Sequence, residues 1–232
     1  MKELRLRAYL PLCEQYEAMA QNFFKQYQDL SKETNQFGES YDILENPHEA
    51  LDMCAAKMHA FQAAICAIVF EAFAIESYVN LFGAYHMGDS AYREKYESSK
   101  PHYSTIEKIK LLCKNEFQTP YPTGGSHFAA LKNIFKKRGK LAHNKPASHE
   151  ITAKSESPFD DYSEAIEEVS FVTNGLDEEM KLYQTVKQNL ISASKQPDPI
   201  VSQQDALQNA LLQAFQGMWD VGCGNYDLFG GQ

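Results

Sequence analysis

Between Asn46 and Tyr85 the chain reads NPHEALDMCAAKMHAFQAAICAIVFEAFAIESYVNLFGAY, with a proline only at its second position and a glycine only near its end, at Gly83. Pro47 suits the first helical position, where no N–H is needed. Asn46 can cap the free amides, and Glu49 completes a capping-box-like pattern. Nothing interrupts the helical pattern for about ten turns, and the middle of the stretch is apolar nearly all round. A helix of that kind has no solvent face, so it predicts a central, most buried element around which the rest of the chain must pack.

The surrounding segments are helical as well. Apolar residues recur at three and four spacing, and alternating β-branched runs are scarce. A first helix is expected from about Leu12 through YEAMAQNFFKQYQDLSKE, ending before NQFGES. GDSAYREKYESSKP reads as a polar break. Ser104 and Glu107 then form a capping box that opens TIEKIKLLCKNEF, with Ile106, Ile109, Leu112 and Cys113 turned inward. QTPYPTGGS is a loop by its prolines and glycine pair. In HFAALKNIFKKRGKLAHN, Phe128, Leu131, Ile134 and Phe135 share one face, lysines take the other, and Pro146 ends the pattern. A last long helix is expected over 158–194, open to a break at Thr173–Gly175, and a short amphipathic helix and a Gly-rich tail follow KQPDPI. The fold class is therefore all-α. Residues 1–146 form the helical core, 147–196 an acidic segment packing on it, and 197–232 a short helix and tail.

Charge and motifs narrow the function. The formal net charge is -9, yet residues 132–145 carry six Lys/Arg and no Asp/Glu. An acidic chain with one short cationic island is a poor platform for broad charge-driven binding of nucleic acid, and it leaves room for one local phosphate site. Five cysteines, an odd number with no CxxC pair, predict free thiols in a reducing compartment and offer no zinc set. The longest uninterrupted apolar run, AAICAIVF, is far short of the roughly 20 residues of a membrane span, and Glu71 follows it. No signal peptide is visible, so a cytoplasmic protein without a membrane partner is expected. Glycine loops of the Walker or GxGxxG kind, GxSxG and HExxH are all absent. No metal and no cofactor are expected. Asp160, Asp161, Glu164, Glu167 and Glu168 read as a solvated helix face, or as a shield over the cationic island.

Within that island, RGKLAH sets Arg138 and His143 five residues apart. The bland reading is a helix end whose histidine interacts with the helix dipole. RGKLAHNKP, however, closely resembles the RNKLVHxKP type of segment of HEPN domains, which carry an arginine and, four to six residues on, a histidine. AIESYVNLF (74–82) is similar to their hhE-x-x-hN-x-h central-helix pattern, and STIEKIKLL to their l-x-x-K helix. The resemblance covers about residues 50–146. It implies a HEPN-like antiparallel helical bundle, here with additional N- and C-terminal helices.

The resemblance also implies a metal-independent RNA endonuclease of toxin or defence type, working as a homodimer and met by a neutralising antitoxin-like protein. Arg138 and His143 would be catalytic, with Glu76 and Asn80 supporting them and Lys136, Lys137, Lys140 and Lys145 binding RNA phosphate. Glu76 and Asn80 lie one turn apart and share a helix face, so they orient Arg138 or His143, or else form an ordinary helix-surface or core pair. Five residues on a regular helix turn the side chain by about 140°, so Arg138 and His143 cannot point the same way. Either the helix distorts near Gly139, or the site is composed from two chains. Nuclease members usually have Asn, Asp or His where this chain has Gly139, which supplies no side chain. That departure keeps open a non-catalytic helical module binding a partner protein or a nucleotide, and also a structural helical protein in which the spacing is accidental.

Overall fold

The computed structural model describes residues 12–36, 47–98, 102–143 and 169–213, the last stretch without 203, 207 and 211. The described residues are mostly helical and contain no strand, so the fold is all-α. The central helix, α2 (Pro47–Met87), is about 60 Å long at 1.5 Å per residue. Pro47 opens it as expected, while Asn46 lies outside the described residues. Ala64, Ala67, Ile68, Ala72, Ile75, Val79 and Phe82 are all fully buried. By length and composition Leu51–Met87 would suffice to cross a membrane, and half of its apolar window (50%) is buried inside the bundle. Counting only uninterrupted apolar residues, which stops at Glu71, understates this stretch.

The helix α1 (Leu12–Gln36) returns along α2 and is held by a ladder of rings, with Tyr16 against Phe70 and Phe73 and Phe23 stacked on Phe70. The segment expected as a polar break is largely helical. Past Gly88, whose φ of +85° only glycine adopts readily, α3 (Asp89–Tyr92) runs into a π-helical turn, Arg93–Glu97. Tyr92 and Tyr96, one turn apart, are both buried and anchor it. Gly83 makes this docking possible, because a Cβ there would lie 2.2 Å from the Tyr92 ring.

The helix α4 (Thr105–Leu111) opens on the expected capping box. The Glu107 N–H donates to Ser104 Oγ and the Ser104 N–H to Glu107 Oε2. Ile109 is buried, and in the π-helical turn that follows, Leu112–Glu116, so are Leu112 and Cys113; Ile106 is half-buried. After the proline loop, α5 (Ser126–His143) buries Phe128, Leu131 and Ile134 and half-buries Phe135. Residues 169–173 form a helical turn that breaks at Asn174 and Gly175, the expected place, where Gly175 has φ +76°. A second break at Met180 and Lys181 separates α6 (Leu176–Glu179) from α7 (Leu182–Ser194). Helix resumes at residue 199, and its described residues from 204 on are exposed. The acidic group at 160–168 and the Gly-rich tail lie outside the described residues.

One interior contact ties α7 to the central helix. Glu71 is fully buried, and its Oε1 accepts the Tyr183 backbone N–H at 2.7 Å, one of the amides that the start of a helix leaves unpaired. Its other oxygen has no hydrogen-bond partner. Burial pushes the carboxyl up to about 8; the Tyr183 N–H opposes this and the charge of Glu17 adds to it. An unfolded carboxyl ionises near 4.5, so the folded state at this position is increasingly penalised as pH rises from there toward 8. Glu71→Gln keeps the acceptor and removes the ionisation. In thermal melts it is expected to match the wild type at pH 5 and to exceed it by on the order of a few kcal/mol at pH 8.5. Equal pH dependence of the two proteins would refute the account.

Candidate functional site

Phe73, Glu76 and Asn80 follow one another at three and four spacing and so form a stripe on one face of α2. Arg138 of α5 lies across its upper part. A guanidinium nitrogen is 3.2 Å from Glu76 Oε2, and the guanidinium carbon is 5.2 Å from the centre of the Phe73 ring. Arg138 and Glu76 keep 33% and 34% of their side-chain surface, so the pair sits at the protein's edge and is reachable from solvent. Of the two partners that the sequence left open for Glu76, the described contact is with Arg138.

Asn80 has different partners. Its Oδ1 accepts from Tyr92 Oη at 2.8 Å and from Lys108 Nζ at 3.0 Å. Lys108 is itself almost buried, with its ammonium 5.8 Å from the centre of the Tyr92 ring. Burial first, and then the charges of Glu97, Tyr96 and Glu76, raise the Tyr92 hydroxyl above its ordinary range, so it acts as a neutral donor. The stripe is thus lined by two cations from two other helices, Arg138 beside Glu76 and Lys108 beside Asn80.

The helix α5 is regular α-helix through Gly139 as far as His143. Gly139 introduces no distortion, so positions 138 and 143 stay about 140° apart around its axis. The His143 side chain and Lys145 lie outside the described residues. Lys136 is exposed, and Lys140 is exposed with its ammonium 4.5 Å from the centre of the Phe171 ring.

Lys137 corrects the expectation that it faces phosphate. It is 1% exposed, and its ammonium donates to Glu179 Oε2 at 2.7 Å, to the Asn174 carbonyl at 2.7 Å and to the Val172 carbonyl at 3.0 Å. Asn133, one turn earlier, donates to the other Glu179 oxygen at 2.7 Å. The break at Gly175 leaves carbonyls without helical partners, and a buried ammonium satisfies two of them. Burial raises the Glu179 carboxyl, while hydrogen bonding and charge from Lys137 hold it down.

No family model, no curated protein and no solved structure matches this chain. A guanidinium one-third exposed and a nearly buried ammonium, held one helical turn apart by Glu76 and Asn80, are groups suited to an oxyanion. Three stretches far apart in sequence, 74–82, 104–112 and 138–146, contribute Glu76 and Asn80, Lys108, and Arg138 to it. Sequence reading did not single out Lys108, Tyr92 or Phe73 as site residues. Lys108 did carry a signal, since it falls three residues from Thr105 and one from Ile109, on the inward side of an amphipathic helix.

The two neighbouring cations are expected to separate in chemical denaturation. Lys137→Ala strands the Glu179 carboxylate in the interior and should cost about 3–5 kcal/mol. Lys136→Ala should stay within about 0.5 kcal/mol. A mild Lys137→Ala would show that the buried pair does not hold the 169–181 segment.

Proposed function

We propose that this protein is a HEPN-type endoribonuclease of toxin or defence kind, acting as a dimer without need of a metal. The observation that carries the reading is the meeting of the three resembling stretches on one face of α2, with Arg138 held at its edge by Glu76. In this mechanism Arg138 grips the non-bridging oxygens of a phosphodiester and stabilises the charge that builds on them. His143 takes the proton of the adjacent 2'-hydroxyl, whose oxygen bonds to phosphorus as the bond to the 5'-oxygen breaks. The departing oxygen takes a proton and becomes a 5'-hydroxyl, and a 2',3'-cyclic phosphate remains.

Histidine suits both proton steps because it titrates near neutrality. Since Arg138 and His143 diverge on a regular helix, the complete site takes its histidine and arginine from facing copies, in which one His143 serves as base and the other as acid. Lys136 and Lys140 stand on the exposed side of α5, where they steer the strand. A neutralising partner protein and a cytoplasmic setting accompany this reading.

A second reading, a helical module that binds a nucleotide or a partner without cleaving, draws on Gly139, which offers no side chain to the phosphate. A Cβ there would meet nothing within 4 Å, so Gly139→Asn is sterically admissible. The test is incubation of total RNA in EDTA with wild type, His143→Ala, Arg138→Ala and Gly139→Asn, followed by identification of fragment ends. Wild type is expected to leave cyclic phosphates, and His143→Ala to lose about a hundredfold or more in rate. Gly139→Asn should cleave faster than wild type. Intact RNA with wild type, appearing as fragments only with Gly139→Asn, would favour the non-cleaving module for the natural chain.

A further inference from the structure

Lys108 is a nearly buried ammonium whose hydrogen-bond partner is a neutral carboxamide. Among the described residues no carboxylate lies within ion-pair distance of it, whereas the more deeply buried Lys137 has Glu179 and two carbonyls. A buried charge without a counterion is costly, and such groups concentrate where a ligand supplies the missing charge. One helical turn away, Glu76 does have a cation, Arg138, but that pair is a third exposed and so weakly bound. Of the carboxylates near this face, Glu76 is the one in ion-pair contact with a cation of the stripe, and Glu97 acts on Tyr92 only through its charge. Asn80 and Tyr92 hold Lys108 in place, and the Phe73 ring packs against the Arg138 guanidinium.

We infer that the Glu76–Asn80 face is an anion site for adjacent phosphate groups, in which Lys108 and Arg138 are the paired cations and Glu76 is a resident stand-in that the incoming phosphate displaces. The inference rests on the proposed phosphodiester chemistry for its RNA form, and it changes the role of Glu76. The carboxylate orients Arg138 while the site is empty and competes with substrate for it. Phosphate on Arg138 and its neighbour on Lys108 would replace one weak ion pair with two charge-assisted contacts. The same paired-phosphate chemistry is offered by an RNA strand and by a nucleoside triphosphate.

Glu76→Gln decides it, because a gain of affinity cannot come from damage to the fold. Fluorescein-labelled tetrauridylate and ATP are titrated separately against wild type, Glu76→Gln, Lys108→Met, Lys108→Arg and Arg138→Met. Glu76→Gln is expected to tighten binding by up to about fivefold, the share of an ion pair this exposed. Lys108→Met should weaken it by about tenfold or more, and Lys108→Arg should restore much of the loss. Tightening seen only with tetrauridylate assigns the site to RNA, and with ATP to a nucleotide. A Glu76→Gln protein that binds neither probe more tightly than wild type overturns the inference, as does wild type that binds neither. Cleavage by the same samples separates the two ideas. Binding that shifts as expected without any cleavage keeps the anion site and removes the nuclease. Cleavage indifferent to Glu76 and Lys108 keeps the nuclease and removes the paired-cation site.

Discussion

Where a long helix is apolar almost all round, its few inward polar side chains depend mainly on the protein for partners. In α2 those side chains are the pins that fix everything else. Glu71 takes the Tyr183 amide and sets where α7 begins. Glu76 takes Arg138 and seats α5. Asn80 takes Tyr92 and Lys108 and joins α3 to α4. Tyr78, between them, donates to Asp198 at 3.3 Å, just before helix resumes at residue 199. Burial of the alanine-rich face supplies the drive to collapse, but it is non-directional. The polar contacts choose which helix lies against which turn, because an unmatched partner in that interior would cost more than the contact contributes.

The same logic explains why Arg138 and Lys137, adjacent in sequence, have opposite fates. Successive residues on a helix differ by about 100°, so one faces the solvent edge of α2 and the other the hinge at Gly175. Lys137 is spent on structure, since Glu179 and two carbonyls engage its ammonium. Arg138 keeps a third of its surface and one carboxylate. A row of cations in a sequence is thus no measure of the cations on a surface. The island of six contributes fewer to any electrostatic footprint than its count suggests, and any local anion site is narrower for it.

Much of the fold was legible because its signals are local. The Ser104–Glu107 box, the proline start of α2 and the glycine break at 175 each follow from the backbone needs of a helix end, and each stands where the sequence puts it. The segment after Gly88 reads as a polar break because its two tyrosines are embedded among charged residues. Gly83, which makes room for the Tyr92 ring, marks the first of them as turning inward. Of the site, the pairing of Glu76 with Arg138 was within reach of spacing and charge. Asn80's partners and the burial of Lys137 were not, since both depend on which helices pack together. Glu179 stands in an acidic run, Asp177 to Glu179, that reads as solvated, and nothing local marks it as the one carboxylate of the three that is buried.

Regularity of α5 through Gly139 constrains any chemistry at this face more than the identity of its residues does. A bend there would have let one chain present arginine and histidine together. Without it, a reaction needing both at one phosphate requires a second copy, and the rate would then depend on protein concentration near the dissociation constant of the pair. Anion binding through Arg138 and Lys108 carries no such requirement, because both cations flank the same stripe of α2 in one chain. Binding and cleavage would then answer to different equilibria. Under the proposed nuclease reading, a monomer able to hold RNA and unable to cut it would be inactive until concentration allowed pairing, and residues that strengthen the anion site without touching the pairing surface would raise occupancy and leave the onset of cleavage unchanged.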